Sequence, residues 1–440
     1  MNSHRYAGRA VTKNLCSQLR TLRHFFVECD GKQLEPAHCS GSMADVAKKI
    51  QEHLGVESGY HTIPKSREGL LKYQPKQEDL PERSIKDSHT TAFVDLKSDP
   101  LMRQLFVKET SQVRVGRIME QLDLIAVWIC HRHVYLPKLP RGVPLPYTFV
   151  TLFIEHVKFM VQKFKPDVDL RLSGYVSWTG LNSMEVATYV RQNDETLAMA
   201  IFVVEGRNAT NSGPAPINPL KPANEIEEWF HSEALERHRR REKQKQGSGV
   251  LLQPTKEEEK IMYDVFSRTK GSEDAIKGGC LPPDCRWISK WHRSTILHPF
   301  PENRNASNTI FGGFIIRSAI ETSYIAACLY AGSYALIRFI SDVTFAQQIP
   351  VQSFMKTTAY VVYTHGKYIQ LMTAVNSLDA ANFTEVHTNA LHLTYEADRS
   401  MPEIMPSSFH EALWYLEGRR HFENFLKSFH GESQKEGPNV

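Results

Sequence analysis

From residue 168 to 178 apolar and polar side chains alternate. Val168, Leu170, Leu172, Val176 and Trp178 interleave with Asp169, Arg171, Ser173, Tyr175 and Ser177. Successive side chains of a strand point to opposite faces, so the pattern predicts a half-buried antiparallel strand. TGLN (179–182) predicts a turn, and Met184, Val186 and Val190 continue on one face. A third strand is predicted with Leu197, Met199, Ile201 and Val203 facing in, which makes a meander. Helical periodicity predicts a short helix at Met43–Leu54 and long helices starting near Gly116 and Gly313.

The pattern occurs twice. SGYVSWTGLNSMEVATYV (173–190) aligns without gaps on TAYVVYTHGKYIQLMTAV (358–375), and the alternation stays in phase. Upstream, VGRIMEQLDLIAVWIC (115–130) aligns on GGFIIRSAIETSYIAA (312–327). The Pro-rich stretch at 136–146 accounts for the difference in spacing between the blocks. Each copy reads as one helix followed by several antiparallel strands, so the sequence predicts an internally duplicated α+β unit. The organisation expected is a basic leader (1–27), a loosely packed N-terminal extension (28–87), a first domain (88–207), a linker (208–286), a second domain (287–400), and a C-terminal helix and tail (401–440). The charged run at 236–249 reads as a solvated helix or linker.

Composition narrows the class. The chain has 440 residues, 41% of them hydrophobic and 23% charged, as globular proteins have. The first 27 residues carry Arg5, Arg9, Lys13, Arg20 and Arg23 and no acidic residue, the make-up of an organellar transit peptide. The remainder is near neutral, which gives no electrostatic case for nucleic acid. No apolar run is long and uninterrupted enough to predict a membrane span. The odd cysteine count does not suggest a disulfide framework. Cys280 and Cys285 lack partners for a zinc site, and no metal or redox cofactor is indicated. His131 and His133 are expected at the surface near a helix end.

Nucleophile elbows, phosphate loops and zinc-protease helices are absent. What remains lies at the matched helix starts. Asn305 stands seven residues before the Gly312–Gly313 pair, and an apolar helix opens directly after it. Glycines there let a ligand approach unpaired backbone N–H groups, which suit an anion or a carbonyl. The corresponding position in the first copy is Lys108. Seven residues past Gly116 comes Asp123, within the apolar run QLDLIAVWIC; seven past Gly313 comes Ile320. One copy therefore has a carboxylate without the amide, and the other has the amide without the carboxylate. Taken singly, Asp123 reads as the wet edge of a helix and Asn305 as a turn or cap residue. Equivalent offsets in two copies favour a shared site, because a buried carboxylate is costly unless it is paired or functional.

RVGRIMEQLD, SGYVSW, NRNASNTIFGG and LWYLEGRRHF resemble the mitochondrial acyl-coenzyme A thioesterase nine group, over roughly 88–425. The resemblance implies two tandem hotdog domains, each an antiparallel sheet wrapped around a central helix, packed as a pseudo-dimer. It implies that Asp123 and Asn305 meet across the domain interface, and that the opposite slot, with Lys108 and Ile320, is dead. The expected activity is hydrolysis of an acyl-CoA substrate, with Asp123 as general base and Asn305 as positioning group. Gly312 and Gly313 would hold the thioester carbonyl and Arg304 a coenzyme A phosphate. Direct attack by Asp123 is the competing route. The mitochondrial matrix and a homo-oligomer of double-hotdog subunits are expected. A non-catalytic acyl-CoA binding or sensing protein and a hotdog hydratase stay open as alternatives.

Overall fold

The alternation at 168–178 forms a strand in the computed structural model, which describes residues 34, 36–56, 65–247, 254–269, 280–305, 309–341 and 343–430. The basic leader lies outside the described residues. In chain order the elements are β1 (His38–Ser42), α1 (Met43–Leu54), α2 (Ile85–Ser88), β2 (Thr90–Val94), α3 (Pro100–Phe106) and α4 (Val115–His133). β3 (Tyr147–Phe159), β4 (Leu170–Thr179), β5 (Ser183–Gln192), β6 (Glu195–Asn208), α5 (Glu225–Gly247) and α6 (Lys256–Arg268) follow. The second half holds β7 (Cys285–Trp287), β8 (His292–Leu297), α7 (Gly312–Ala331), β9 (Leu336–Ile340) and β10 (Val343–Phe345). It closes with β11 (Phe354–His365), β12 (Tyr368–Asp379), β13 (Thr384–Glu396), β14 (Glu403–Met405) and α8 (Phe409–His430).

Twelve strands form one sheet in the order β1-β2-β4-β5-β6-β3-β10-β13-β12-β11-β8, with β9 bridging β13 and β3. The order β2-β4-β5-β6-β3 is mirrored by β8-β11-β12-β13 and the β9–β10 pair. Register repeats too. Tyr175 pairs with Ala187 and Thr179 with Met184; at the aligned positions Tyr360 pairs with Met372 and Thr364 with Ile369. Even the bulge recurs, at Val176/Trp178 and at Val361/Tyr363. A bulge re-aims a strand and bends it, so its recurrence at one aligned position argues for duplication independently of the identities.

Each long helix is buried against its own strands. Ile118, Leu122, Ile125 and Ile129 recur at helical spacing and are fully buried. At about 1.5–3 kcal/mol for each such side chain, this face alone is a large share of the first half's stability. α4 crosses β4 at Gly174, where a Cβ would come within 2.7 Å of Ile129 Cδ1 and 2.4 Å of the Ala187 carbonyl oxygen. α4 and α7 also cross each other reciprocally near their starts. A Cβ on Gly116 would lie 3.1 Å from Arg317 Cγ, and one on Gly313 would lie 3.0 Å from the Glu120 backbone. Arg317 and Glu120 occupy aligned positions and pair at 2.9 Å.

Five expectations need correction. The segment 28–87 is not loosely packed throughout. β1 pairs with β2, and α1 buries Met43, Val46, Ile50 and Leu54. Ser42 and Asp45 form a capping box and Gly55 ends α1 with φ 64°, so this helix has local start and stop signals of its own. β4 is buried on both faces, since Ser173, Tyr175 and Ser177 are as enclosed as Leu172 and Val176. In β6 Leu197 joins the central core as expected, but so do Ala198, Ala200, Phe202 and Val204, while Met199 and Ile201 pack on the outer face with Tyr175, Ala187 and Phe230. The cover on that face is α5, and so the charged run is not merely solvated. Arg237 pairs with Glu185 at 2.7 Å, and Arg241 reaches Glu155 at 3.1 Å and also Glu185. Finally, His131 and His133 are buried, the first against Phe149 and the second with its Nε2 2.9 Å from the Asn218 carbonyl oxygen.

Candidate active site

The reciprocal crossing brings the middle of α4 to the first turn of α7. Asp123, facing inward two turns into α4, is 1% exposed. Its Oδ1 accepts the Thr151 hydroxyl from β3 at 2.7 Å, and the Gly313 backbone N–H donates to the carboxylate. Gly312 is close enough that a Cβ would sit 3.1 Å from Asp123 Oδ2. Burial pushes the carboxyl up to about 6, against the pull of the Thr151 and Gly313 hydrogen bonds. A carboxylate at a helix N-terminus is otherwise favourable, which explains how the position is tolerated.

Asn305 anchors the loop that leads into α7. Its Nδ2 donates to Thr309 Oγ1 at 2.8 Å, its Oδ1 accepts the Thr309 N–H at 3.1 Å, and its own backbone N–H donates to the Thr309 carbonyl at 2.8 Å. Asp123, Arg304, Asn305 and Gly312 all line one cavity of about 950 Å³. Gly313 does not line it. Its N–H is directed at Asp123 and its Cα packs on Glu120, so it is a helix-crossing glycine rather than the direct carbonyl donor the sequence suggested. The cavity wall is apolar where Ile50 and Leu54 of α1 meet Leu124, Val127 and Phe149; Glu205, Arg207, Arg304 and Gln348 line its polar part.

Sequence reasoning missed Thr151, the α1 wall and the enclosure of His131. A threonine in a strand carries no signal for the carboxylate it will meet 28 residues away. The periodicity of α1 was legible, but not what the helix covers.

A second cavity of about 320 Å³ lies at the opposite crossing and is lined by Lys108, Gly116, Ile320 and Glu321. The slots counted from the sequence thus come together here as well. Lys108 Nζ sits 3.6 Å from the Tyr324 ring centroid, and burial lowers the ammonium below its usual range. Glu321 pairs with Arg114. No carboxylate takes the place that Asp123 holds in the first cavity, because the aligned residue is Ile320. On the activity that the sequence resemblance implies, Lys108→Ala is expected to leave thioester turnover within about twofold of wild type, measured as free thiol released, because Lys108 lines the cavity that lacks Asp123.

No protein-family model matches the chain. It is 31% identical to acyl-coenzyme A thioesterase 9, mitochondrial, of Mus musculus over 404 residues, covering 89% of this chain and 90% of that protein. To the Homo sapiens protein of the same name it is 32% identical over 394 residues, 86% and 88% of the two chains. Among solved structures, a Staphylococcus aureus acyl-CoA hydrolase in complex with butyryl coenzyme A overlays 34% of this chain and 95% of its own, at 20% identity and TM-score 0.32. The two curated relatives match over most of their length and most of this chain. The chain belongs to the acyl-coenzyme A thioesterase 9 family.

Proposed function

We propose that this chain hydrolyses acyl-CoA thioesters to the free acid and coenzyme A in the cavity between α4 and α7. The observation that carries the reading is Asp123, a fully buried carboxylate of α4 that faces the first turn of α7, with its carboxyl raised to about 6. A general base works best when its pKa lies near the working pH and its position is fixed, and Thr151 fixes this one. Water attacks the thioester carbonyl carbon while Asp123 takes the water proton. The N-terminal end of α7 opposes the growing oxyanion charge. The C–S bond then breaks, and the thiolate recovers the proton to leave as free coenzyme A. Asn305, held by Thr309, orients the reactants from the cavity wall. Arg304 supports a phosphate contact through its charge in the same cavity. The apolar wall suits an acyl tail and the polar part a nucleotide-bearing head.

On this reading the two halves are tandem hotdog domains packed as a pseudo-dimer, supported by the mirrored strand order and the reciprocal helix crossing. A homo-oligomer of such subunits is supported by exposed Ile296, Leu297 and Phe300 at the β8 edge. Among the described residues no helix is long and apolar enough to cross a membrane. Mitochondrial residence is supported by the relatives' names, and the basic, acid-free composition of residues 1–27 fits import to the matrix. A reporter carrying residues 1–27 is expected to enter mitochondria; diffuse cytosolic signal would remove this assignment.

The deciding experiment measures free thiol released from acyl-CoAs of short to long chain. Turnover with one acid formed per thiol supports hydrolysis; tight binding of the same series without release would make the protein a sensor. The pH profile follows from the carboxyl. The reactive form is deprotonated, so kcat/KM is expected to rise about tenfold per pH unit below about 6 and to level off above it. A profile flat from pH 5 to 8 would contradict Asp123 as the base.

A further inference from the structure

The cavity at the second crossing is more than the first one without its acid, because its charge is inverted. Lys108 stands where the other copy has Asn305, and Ile320 stands where it has Asp123. Both line the cavity, so this copy of the slot has gained a cation and lost the carboxylate that would repel an anion. At about 320 Å³ it lies at the lower end of small-ligand pockets, with room for a short chain.

The Lys108 ammonium has no acid against it. Its Nζ sits 3.6 Å from the Tyr324 ring centroid, and among the described residues no carboxylate pairs with it. Arg114 takes Glu321, and Glu109 is exposed, so both acids act on Lys108 only through their fields. A cation drawn out of water with a ring face as its nearest partner is stabilised less than one on a carboxylate, and burial accordingly lowers this one below its usual range. Tyr324 adds a donor. Its hydroxyl is buried, burial keeps the phenol protonated, and the Cys328 thiol beside it is a weak partner. Val107, Val115, Ile320, Leu336 and Ile337 supply an apolar wall.

We propose that this second cavity binds the carboxylate of a short aliphatic acid, with Lys108 pairing to the charged head and the apolar wall taking the tail. A carboxylate supplies the counter-charge that Lys108 lacks, and it can accept the Tyr324 hydroxyl. Each methylene that leaves water against the apolar wall adds to the affinity. An alcohol of the same length brings the tail without the charge, and inorganic phosphate brings the charge without the tail. A free acid is also the class of product that thioester hydrolysis releases, but binding here does not depend on turnover in the first cavity.

The test is lysine footprinting of the full chain. An amine-acylating reagent is applied with and without hexanoate, and the label on each lysine is measured by mass spectrometry after digestion. Lys108 is half-buried, so the reagent reaches it. A carboxylate beside the ammonium favours its charged form, so saturating hexanoate is expected to slow labelling of Lys108 at least about tenfold. Labelling of an exposed lysine such as Lys48 should not change. Hexan-1-ol and inorganic phosphate at the same concentration are each expected to leave Lys108 unprotected. Leu336→Trp, at a half-buried position, narrows the space for the tail and is expected to abolish protection while Lys108 still labels. Hexanoate holds no thioester, so the result is independent of whether the first cavity hydrolyses one. An unchanged Lys108 rate in hexanoate, equal protection by hexan-1-ol or phosphate, or full protection in Leu336→Trp overturns the site.

Discussion

Asp123→Asn is expected to lower kcat by about 10²–10⁴ and, in the same variant, to make the protein more stable above pH 6. The loss follows from removing the base while keeping its shape. The gain follows from the carboxyl's position. Its pKa is raised from 3.8 to about 6 by burial. The folded state therefore holds the proton over a range where the unfolded chain has released it. The stability this contributes is complete below pH 4 and is lost as pH rises through about 6. Ionising the buried group then costs on the order of 3 kcal/mol, at about 1.4 kcal/mol per tenfold change in equilibrium. An amide has no proton to lose and escapes that cost. Urea melts of both proteins at pH 5 and pH 7.5, beside thiol-release kinetics, check the two halves of the claim. The stability gap should open between those pH values. Near-normal turnover by a folded Asp123→Asn variant would end the mechanism.

Glu185→Ala is expected to cost about 3–5 kcal/mol, the usual result of removing one partner from a buried ion pair. Glu185 is 0% exposed and accepts from Arg237, Arg241 and Ser177. Without it, Arg237 loses its direct partner between β5 and α5 and keeps only the more distant field of Glu155, which Arg241 already engages. The cost should persist in high salt, since buried pairs are screened weakly. Replacing Glu185 by Met and Arg237 by Leu, with Arg241 left to pair with Glu155, should recover most of the loss, because well-packed apolar groups often equal a buried ion pair. Denaturant midpoints of the single and double variants measure it. A single variant within about 0.5 kcal/mol of wild type would show that α5 contributes only a solvated face.

These cases also show where sequence reading succeeds and where it stops. α1 was legible because its cap, its apolar face and its terminating Gly55 all lie within one short stretch. The duplication was legible because register and bulge repeat with the residues that specify them. Asp123, Asn305, Lys108 and Ile320 could be sorted into two slots by counting offsets alone, and the structure groups them accordingly. What could not be read were partners distant in sequence. Arg237 and Arg241 look like part of a solvated run until Glu155 and Glu185, more than fifty residues upstream, are placed opposite them. His131 looks like a helix-end polar residue until β3 sets Phe149 against it. Gly313 looked like a ligand contact because glycine's smallness serves a substrate and a crossing helix equally well.

The inequality of the two cavities bears on how the enzyme should be counted. Residues 123 and 320 are aligned, yet only one is an acid. With both halves on a single chain, a tight-binding substrate analogue should titrate one equivalent per polypeptide, half the number a symmetric pair of such units would give. If only the Asp123 cavity turns over substrate, as proposed, it has no sibling within its own chain to communicate with, so saturation of the isolated subunit should be hyperbolic. Any sigmoidal response to substrate would then report association between chains, and it should fade on dilution.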